Sequence, residues 1–233
     1  MSRTVPAAIL AALAGESVEL FYAVEMNFST APVRLWTGFG DRAIGDTIAA
    51  NQIQIGQKYV IQSVGTTNFT LIGAASNTVG LSFVATGVGT GTGTVKFAYI
   101  GSGTLLSISG IEEVADLSAK GITLTLSGVD TSLVSLAIQE PYQGRSARIL
   151  LGVTGVNDFV EVFAGLMDVM TLQEDGSSAT IELTVESKLI TLQRPNVRRY
   201  TSESHKLRYP TDTFFDYVEQ LQDKEIAWGR KIS

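Results

Sequence analysis

The one histidine, His205, is the natural place to look for acid–base chemistry, because imidazole in ordinary surroundings titrates near neutrality. It stands in a polar, basic stretch with no pattern of nucleophile and acid partner around it. It therefore reads as a surface or interface histidine, not a general base. The run Gly87-Val88-Gly89-Thr90-Gly91-Thr92-Gly93-Thr94 has the glycine density of a phosphate-binding loop. Its glycines fall on alternate residues, however, and no Lys-Ser or Lys-Thr follows. An extended strand or edge leading into Val95-Lys96-Phe97 is the better expectation. Acid pairs such as Glu112-Glu113, or Asp168 with Glu186, have the chemistry of glycosidase carboxylates, which work as a spaced pair. Among so many carboxylates such pairs arise by coincidence, and a solvated or intersubunit role is expected. There is no D-x-D-x-D-G loop and no histidine cluster for a metal. The chain has no cysteine, so it forms no disulfide and no thiolate-ligated centre, and the compartment stays open. No cofactor and no enzymatic activity are expected.

Charge carries more information. The net charge of −6 argues against a general nucleic-acid binder, which needs clustered Lys and Arg. Residues 159–187 hold Glu161, Asp168, Glu174, Asp175, Glu182 and Glu186 without a single base. Residues 188–208 hold Lys188, Arg194, Arg198, Arg199, Lys206 and Arg208 against Glu203 alone. Two solvated faces would account for this. So would complementary rims, in which an acidic hairpin on one subunit meets a basic loop on the next. Of the aromatic residues Trp36, Phe39, Tyr99, Tyr142, Tyr200, Phe214 and Trp228, most are expected in the core. Tyr142 is the exception, because Glu140-Pro141-Tyr142-Gln143-Gly144-Arg145 reads as a turn whose amphipathic ring can serve an interface.

The elements that must position these groups are mostly strands. Hydrophobic residues make up 45% and charged residues 17%, with 23 glycines, which suits short strands and tight turns better than a helical bundle. Pro6 opening an apolar run, with Thr4 before it and Gly15 behind, predicts a capped N-terminal helix in preference to a secretory signal. No run approaches the roughly 20 apolar residues of a membrane span. Val18, Leu20, Tyr22, Val24 and Met26 alternate with Glu19, Phe21, Ala23 and Glu25, a strand period. Further strands are expected at 33–38, 122–127, 147–153, 160–172 and 179–187, the last two joined across Asp175-Gly176. Asp130 can cap a short helix over 132–139 that Pro141 stops. Phe214, Tyr217, Val218 and Leu221 fall at helical spacing and predict a helix that docks by one face. Residues 46–95 differ from the rest: one acid, Asp46, one base, Lys58, and many Gly, Thr, Ser and Asn. Strand-like runs at 59–64, 69–72, 80–85 and 93–97 make this a small β-domain inserted at a hairpin tip. The expected fold is mainly β, with a sandwich or barrel core over 1–45 and 96–233, short terminal helices, and the insert at 46–95.

Outside the insert, a series of blocks resembles the baseplate hub proteins of siphophages and gene transfer agents. It runs Arg34-Leu35-Trp36-Thr37-Gly38, Tyr99-Ile100-Gly101-Ser102-Gly103, then Gly121-Ile122-Thr123-Leu124-Thr125-Leu126-Ser127-Gly128. It continues through Tyr142-Gln143-Gly144-Arg145, Phe163-Ala164-Gly165-Leu166-Met167-Asp168, Val185-Glu186-Ser187 and Arg199-Tyr200-Thr201 to Trp228-Gly229. The resemblance implies a virion protein at the distal end of the tail. Copies would form a ring, a trimer in preference to a hexamer, between the distal tail or tail tube protein and the central fibre or tail-tip protein. DNA would meet it only in transit. In relatives a short turn stands where residues 46–95 stand here. Larger hubs also carry a cysteine-bearing metal domain; with no cysteine among these 233 residues, no such cluster is carried over to them.

The expected interface residues are Tyr142, Gln143, Arg145, Arg198, Arg199, Tyr200, His205 and Arg208. The acids Glu161, Asp168, Glu174, Asp175, Glu182 and Glu186 are candidates to line the channel, where like charge would repel DNA. Thr66, Thr67, Asn68 and Asn77 are candidates for contact between the insert and a glycan, a host surface or a neighbouring tail protein. The competing expectations are a peripheral receptor- or glycan-binding tail protein, a hexameric distal tail protein, and a cell-wall or polysaccharide hydrolase.

Overall fold

A computed structural model describes residues 5–15, 17–112, 120–127, 135, 138–156, 158–175, 179–193 and 198–221. The chain is mainly β and divides into two compact units, Met1–Ile190 and Thr191–Ser233.

The first unit begins with α1 (Ala7–Leu13), entered through Pro6, whose fixed φ suits a helix start; Ile9 is its buried side chain. Then come β1 (Leu20–Asn27), β2 (Pro32–Trp36), β3 (Phe39–Ala49), β4 (Lys58–Ser63), β5 (Ser82–Val84) and β6 (Thr94–Ser102). β7 (Leu105–Ile108), β8 (Gly121–Ser127), β9 (Ser146–Val153), β10 (Phe159–Glu174) and β11 (Ala179–Ser187) complete it. Hydrogen bonding runs in the order β5-β4-β6-β2-β1-β9-β10-β11-β8-β7, and β3 pairs β6 off this path. Every pairing is antiparallel except the single parallel bridge Leu35–Ile100 between β2 and β6.

Alternation decides what each strand buries. Ile122, Leu124 and Leu126 of β8 and Ile181, Leu183 and Val185 of β11 face the same way. The sheet curls so that they join Val24, Met26, Leu35, Ile149 and Met167 in one core. On the other side of β1, Phe21 and Ala23 pack with Ile44, Tyr99 and Leu150. β1 is therefore covered on both faces, which the simple alternation read from its sequence did not anticipate.

β3 and β6 form the hairpin that carries the insert, pairing from Phe39–Ser102 to Ala49–Thr94 with a bulge between Ile44 and Ile48. Between them, Tyr59, Ile61, Phe69, Ile72, Phe83 and Val95 make a separate core. Tyr59 stacks on Phe97 of β6 with ring centres 5.1 Å apart.

Several local expectations are corrected. Phe69–Ile72 is a 3₁₀ turn, not a strand, because the Asn68 side chain accepts from Thr70 N at 3.2 Å and starts a turn there. The Gly-Thr run is irregular until Thr94: Gly91 sits at φ +101°, and the glycines at 91 and 93 leave room for the Thr66-Thr67 loop. β3 and β7 were not expected. The helix expected at 132–139 falls largely outside the described residues.

After the short α2 (Ile190–Gln193), the second unit contains α3 (Ser202–Lys206) and α4 (Val218–Leu221). Thr201 caps α3, its Oγ1 accepting from Ser204 N at 3.3 Å. The helix expected at 214–221 is only the single turn of α4. Phe214 is 78% and Tyr217 68% exposed.

Candidate functional site

The most constrained polar group in the first unit was not singled out by sequence. Glu25 on β1 lies opposite Arg34 on β2 and Arg148 on β9, so one carboxylate is flanked by a guanidinium on each side. Arg34 reaches Oε1 through Nε at 2.9 Å and Nη2 at 2.8 Å. Arg148 reaches Oε2 through both Nε and Nη2 at 2.6 Å. Arg34 also donates through Nη1 to Gln57 Oε1 at 2.8 Å, and its guanidinium lies 3.7 Å from the Phe97 ring centre. Tyr99 OH donates to Glu25 Oε2 at 3.4 Å. Burial pushes the Tyr99 phenol up to about 12, the Glu25 charge acting in the same direction. Burial alone would lower Arg148, but Glu25 outweighs it and holds the guanidinium above its ordinary value. Buried charge tolerated only when fully paired is a structural device, and here it joins β1, β2, β6, β9 and the insert residue Gln57.

A second clamp ties the insert to its hairpin. Asp41 of β3 meets Lys58 of β4 at 2.7 Å and accepts from the Ser82 hydroxyl of β5. Burial tends to raise the Asp41 carboxyl, but the bonds from Lys58 and Ser82 outweigh it and leave it below the ordinary value.

The six acids of the β10–β11 hairpin do not form one row. Glu186 lies opposite Leu166 and Glu182 opposite Thr171, on the sheet face away from the main core. Glu161 faces the same way, its carboxylate 4.0 Å from Arg148. Asp168 sits in the bulge between Met167 and Met170, and Glu174 and Asp175 stand at the hairpin end.

Tyr142, expected at an interface, is half-buried in its turn. It packs against the main core, and its OH accepts from Met170 N at 3.1 Å, satisfying a donor freed by the bulge. Arg145 turns back on its own loop, donating through Nε to Pro141 O at 3.0 Å. Gly144 holds φ +75° in that turn, and Gln143 is exposed.

The four insert candidates all form hydrogen bonds within the insert, with Thr66, Asn68 and Asn77 exposed and Thr67 buried. Thr67 is buried, and its Oγ1 accepts from Gly93 N at 2.8 Å, so it is not a glycan contact. Thr66 and Thr92 exchange backbone-to-hydroxyl bonds, each 3.1 Å long. Asn77 Oδ1 accepts from Phe69 N at 2.7 Å, and its Nδ2 donates to Asn68 Oδ1 at 2.9 Å.

In the second unit the sequence candidates do converge. A cavity of about 440 Å³ is lined by Arg198, Arg199, Tyr200, Ser204, His205, Tyr209 and Phe215. The His205 ring lies 4.8 Å from Phe215 and 5.2 Å from Tyr209, centre to centre. Its Nε2 is 2.9 Å from Asp212 Oδ2, an ion-pair distance without hydrogen-bond alignment. That imidazole, with Phe214 N, holds the Asp212 carboxyl below its ordinary value. Lys206 and the Ser202 hydroxyl do the same for Asp216. Arg208 is exposed and does not line the cavity, and Trp228 and Arg194 lie outside the described residues.

Among the described residues, no three His, Asp or Glu side chains come together as a metal site. The chain matches no family model and no curated protein.

Proposed function

We propose that the protein is a structural subunit of the distal end of a phage tail, a hub or baseplate ring built from copies of itself, three in preference to six. The reading rests on the ordered series of blocks that resembles baseplate hub proteins. The observation that carries it is what those blocks do in the fold. A Cβ on Gly38 would overlap the Trp36 ring, one on Gly101 would overlap Gly38 O, and one on Gly165 would overlap Glu186 O. The blocks are thus spaced around points of close backbone approach, as suits a scaffold, and not around a reacting atom.

In this reading the ring joins the distal tail or tail tube protein to the central tail-tip protein, and DNA passes through it. Glu161, Glu182 and Glu186, on one sheet face, line the passage, where like charge keeps DNA from adhering. The insert projects outward. Ile55, Leu71, Val79, Val84 and Val88 are exposed on it, and apolar groups fit a protein neighbour better than a sugar.

Mass photometry of the purified protein, followed by electron microscopy of tails carrying an antibody against the insert, tests this. Three-copy rings and label at the tail end on its axis are expected. Monomers at micromolar concentration, or label along the periphery of the tail, would remove the ring.

A further inference from the structure

The cavity in the second unit has an unbalanced lining. The carboxylates near it are already engaged, Asp212 with His205 and Asp216 with Lys206 and Ser202. Among the described residues, Arg198 and Arg199 have no carboxylate within ion-pair distance. Two adjacent guanidiniums at one cavity repel each other unless an anion sits against them. Aromatic rings share the lining with these arginines. The Tyr200 ring centre is 6.1 Å from that of Phe215, and Tyr200 is 82% exposed. The site combines a planar anion-binding fork with an aromatic wall, in a space suited to a few side chains.

We infer that this cavity is a socket for an acidic peptide segment of a partner protein. A carboxylate enters against Arg198 and Arg199, whose planar forks bind it by paired N–H bonds. The neighbouring apolar side chain of the segment lies on Tyr200 and Phe215, and the Ser204 hydroxyl, whose oxygen accepts from Arg199 N at 3.4 Å, donates its proton to the segment's backbone. An acidic peptide fits better than a nucleic acid. Binding a polyanion draws on a row of cations along its track, whereas this site offers two arginines in a chain of net charge −6. The inference stands on the cavity alone, whatever assembly the protein belongs to.

The test is an array of random heptapeptides probed with the labelled full-length protein, with a competing dT20 oligonucleotide. Spots with Asp or Glu beside an aromatic or large aliphatic residue should be enriched. Replacing their acids by the amides should cut the signal at least tenfold. Arg198→Ala/Arg199→Ala should do the same, with an unchanged circular dichroism spectrum, while Arg208→Ala binds as wild type. Arg198→Lys/Arg199→Lys should recover part of the signal. Signal independent of peptide acids, or equal in the double variant, overturns the inference. So does displacement of every peptide by dT20 at lower concentration, which would make the cavity a nucleic-acid site.

Discussion

Glu25 and Arg34 face each other across β1 and β2, two of the guanidinium nitrogens lying within 2.9 Å of the same carboxylate oxygen, and both side chains are almost wholly buried. Removing one member leaves the other charged and without solvent. Glu25→Ala should therefore lower stability by about 3–5 kcal/mol. Urea denaturation measures it, and a loss below about 1 kcal/mol would mean that water reaches Arg34. Glu25→Gln, which keeps the acceptor oxygen, should lose less.

Gly101 packs where Gly38 and the Trp36 ring leave no room for a methyl group. Gly101→Ala should destabilise by about 1–3 kcal/mol through overpacking and alter Trp36 fluorescence. Gly110→Ala, where nothing lies within 4 Å, is the control and should be near neutral.

Thr67→Val keeps the shape but deletes the acceptor of Gly93 N, leaving a buried donor unsatisfied at about 1–3 kcal/mol. The loss should appear as faster amide exchange in the insert, at Gly93 first, while amides of β8 and β11 keep their protection.

Glu140 supports the β1–β2 turn, accepting from the Thr30 hydroxyl and from Ser29 N at 2.7 Å and Thr30 N at 3.2 Å. The Thr30 hydroxyl, with these two amides, holds its carboxyl below the ordinary value of 4.5. A folded-state value below the unfolded one means the contribution is fully present above that ordinary value. It is lost as pH falls through the folded value. Glu140→Gln should therefore lower stability at pH 7, where the contribution is present, converge with the wild type in acid, and so flatten stability against pH on the acid side of about pH 5. A parallel acid profile in the variant would exclude this role.

If the carboxylates face passing DNA, Glu182→Lys/Glu186→Lys should slow genome ejection from otherwise intact particles, and more so at low salt. Unchanged ejection kinetics would take these two out of the channel.

Strand period served well where a strand has one wet face: β11 and β8 lie within a residue of expectation because Thr and Glu alternate with Ile, Leu and Val. It failed for β1, since alternation names a single inner face and a second layer covers the other, burying Glu25. β3 escaped notice because Asp41 and Arg42 interrupt any apolar pattern. Its residues are held by ion pairing and by the Arg42 guanidinium 4.0 Å from the Phe21 ring centre. The insert was legible as a shift in composition, but the work of its hydroxyls and amides was not. Thr67 and Gly93 are 26 residues apart, and Tyr142 and Met170 are 28 apart. In the second unit the basic stretch was visible, whereas its meeting with Tyr209 and Phe215 depends on turns that no periodicity encodes.

The insert leaves and rejoins its hairpin at Ala49 and Thr94, which are cross-strand partners. Its two ends are thus held about 5 Å apart by the host strands, whatever lies between them. Such an opening is a standard socket for exchange: a plain turn or an unrelated small fold with adjacent ends can be spliced in without moving the main core. What a replacement must still provide is local, an acceptor where Gln57 meets Arg34 and a cation where Lys58 meets Asp41. A replacement that supplied neither would strand the Arg34 Nη1 donor and the Asp41 carboxylate, and would leave the β6 edge that β4 now pairs open.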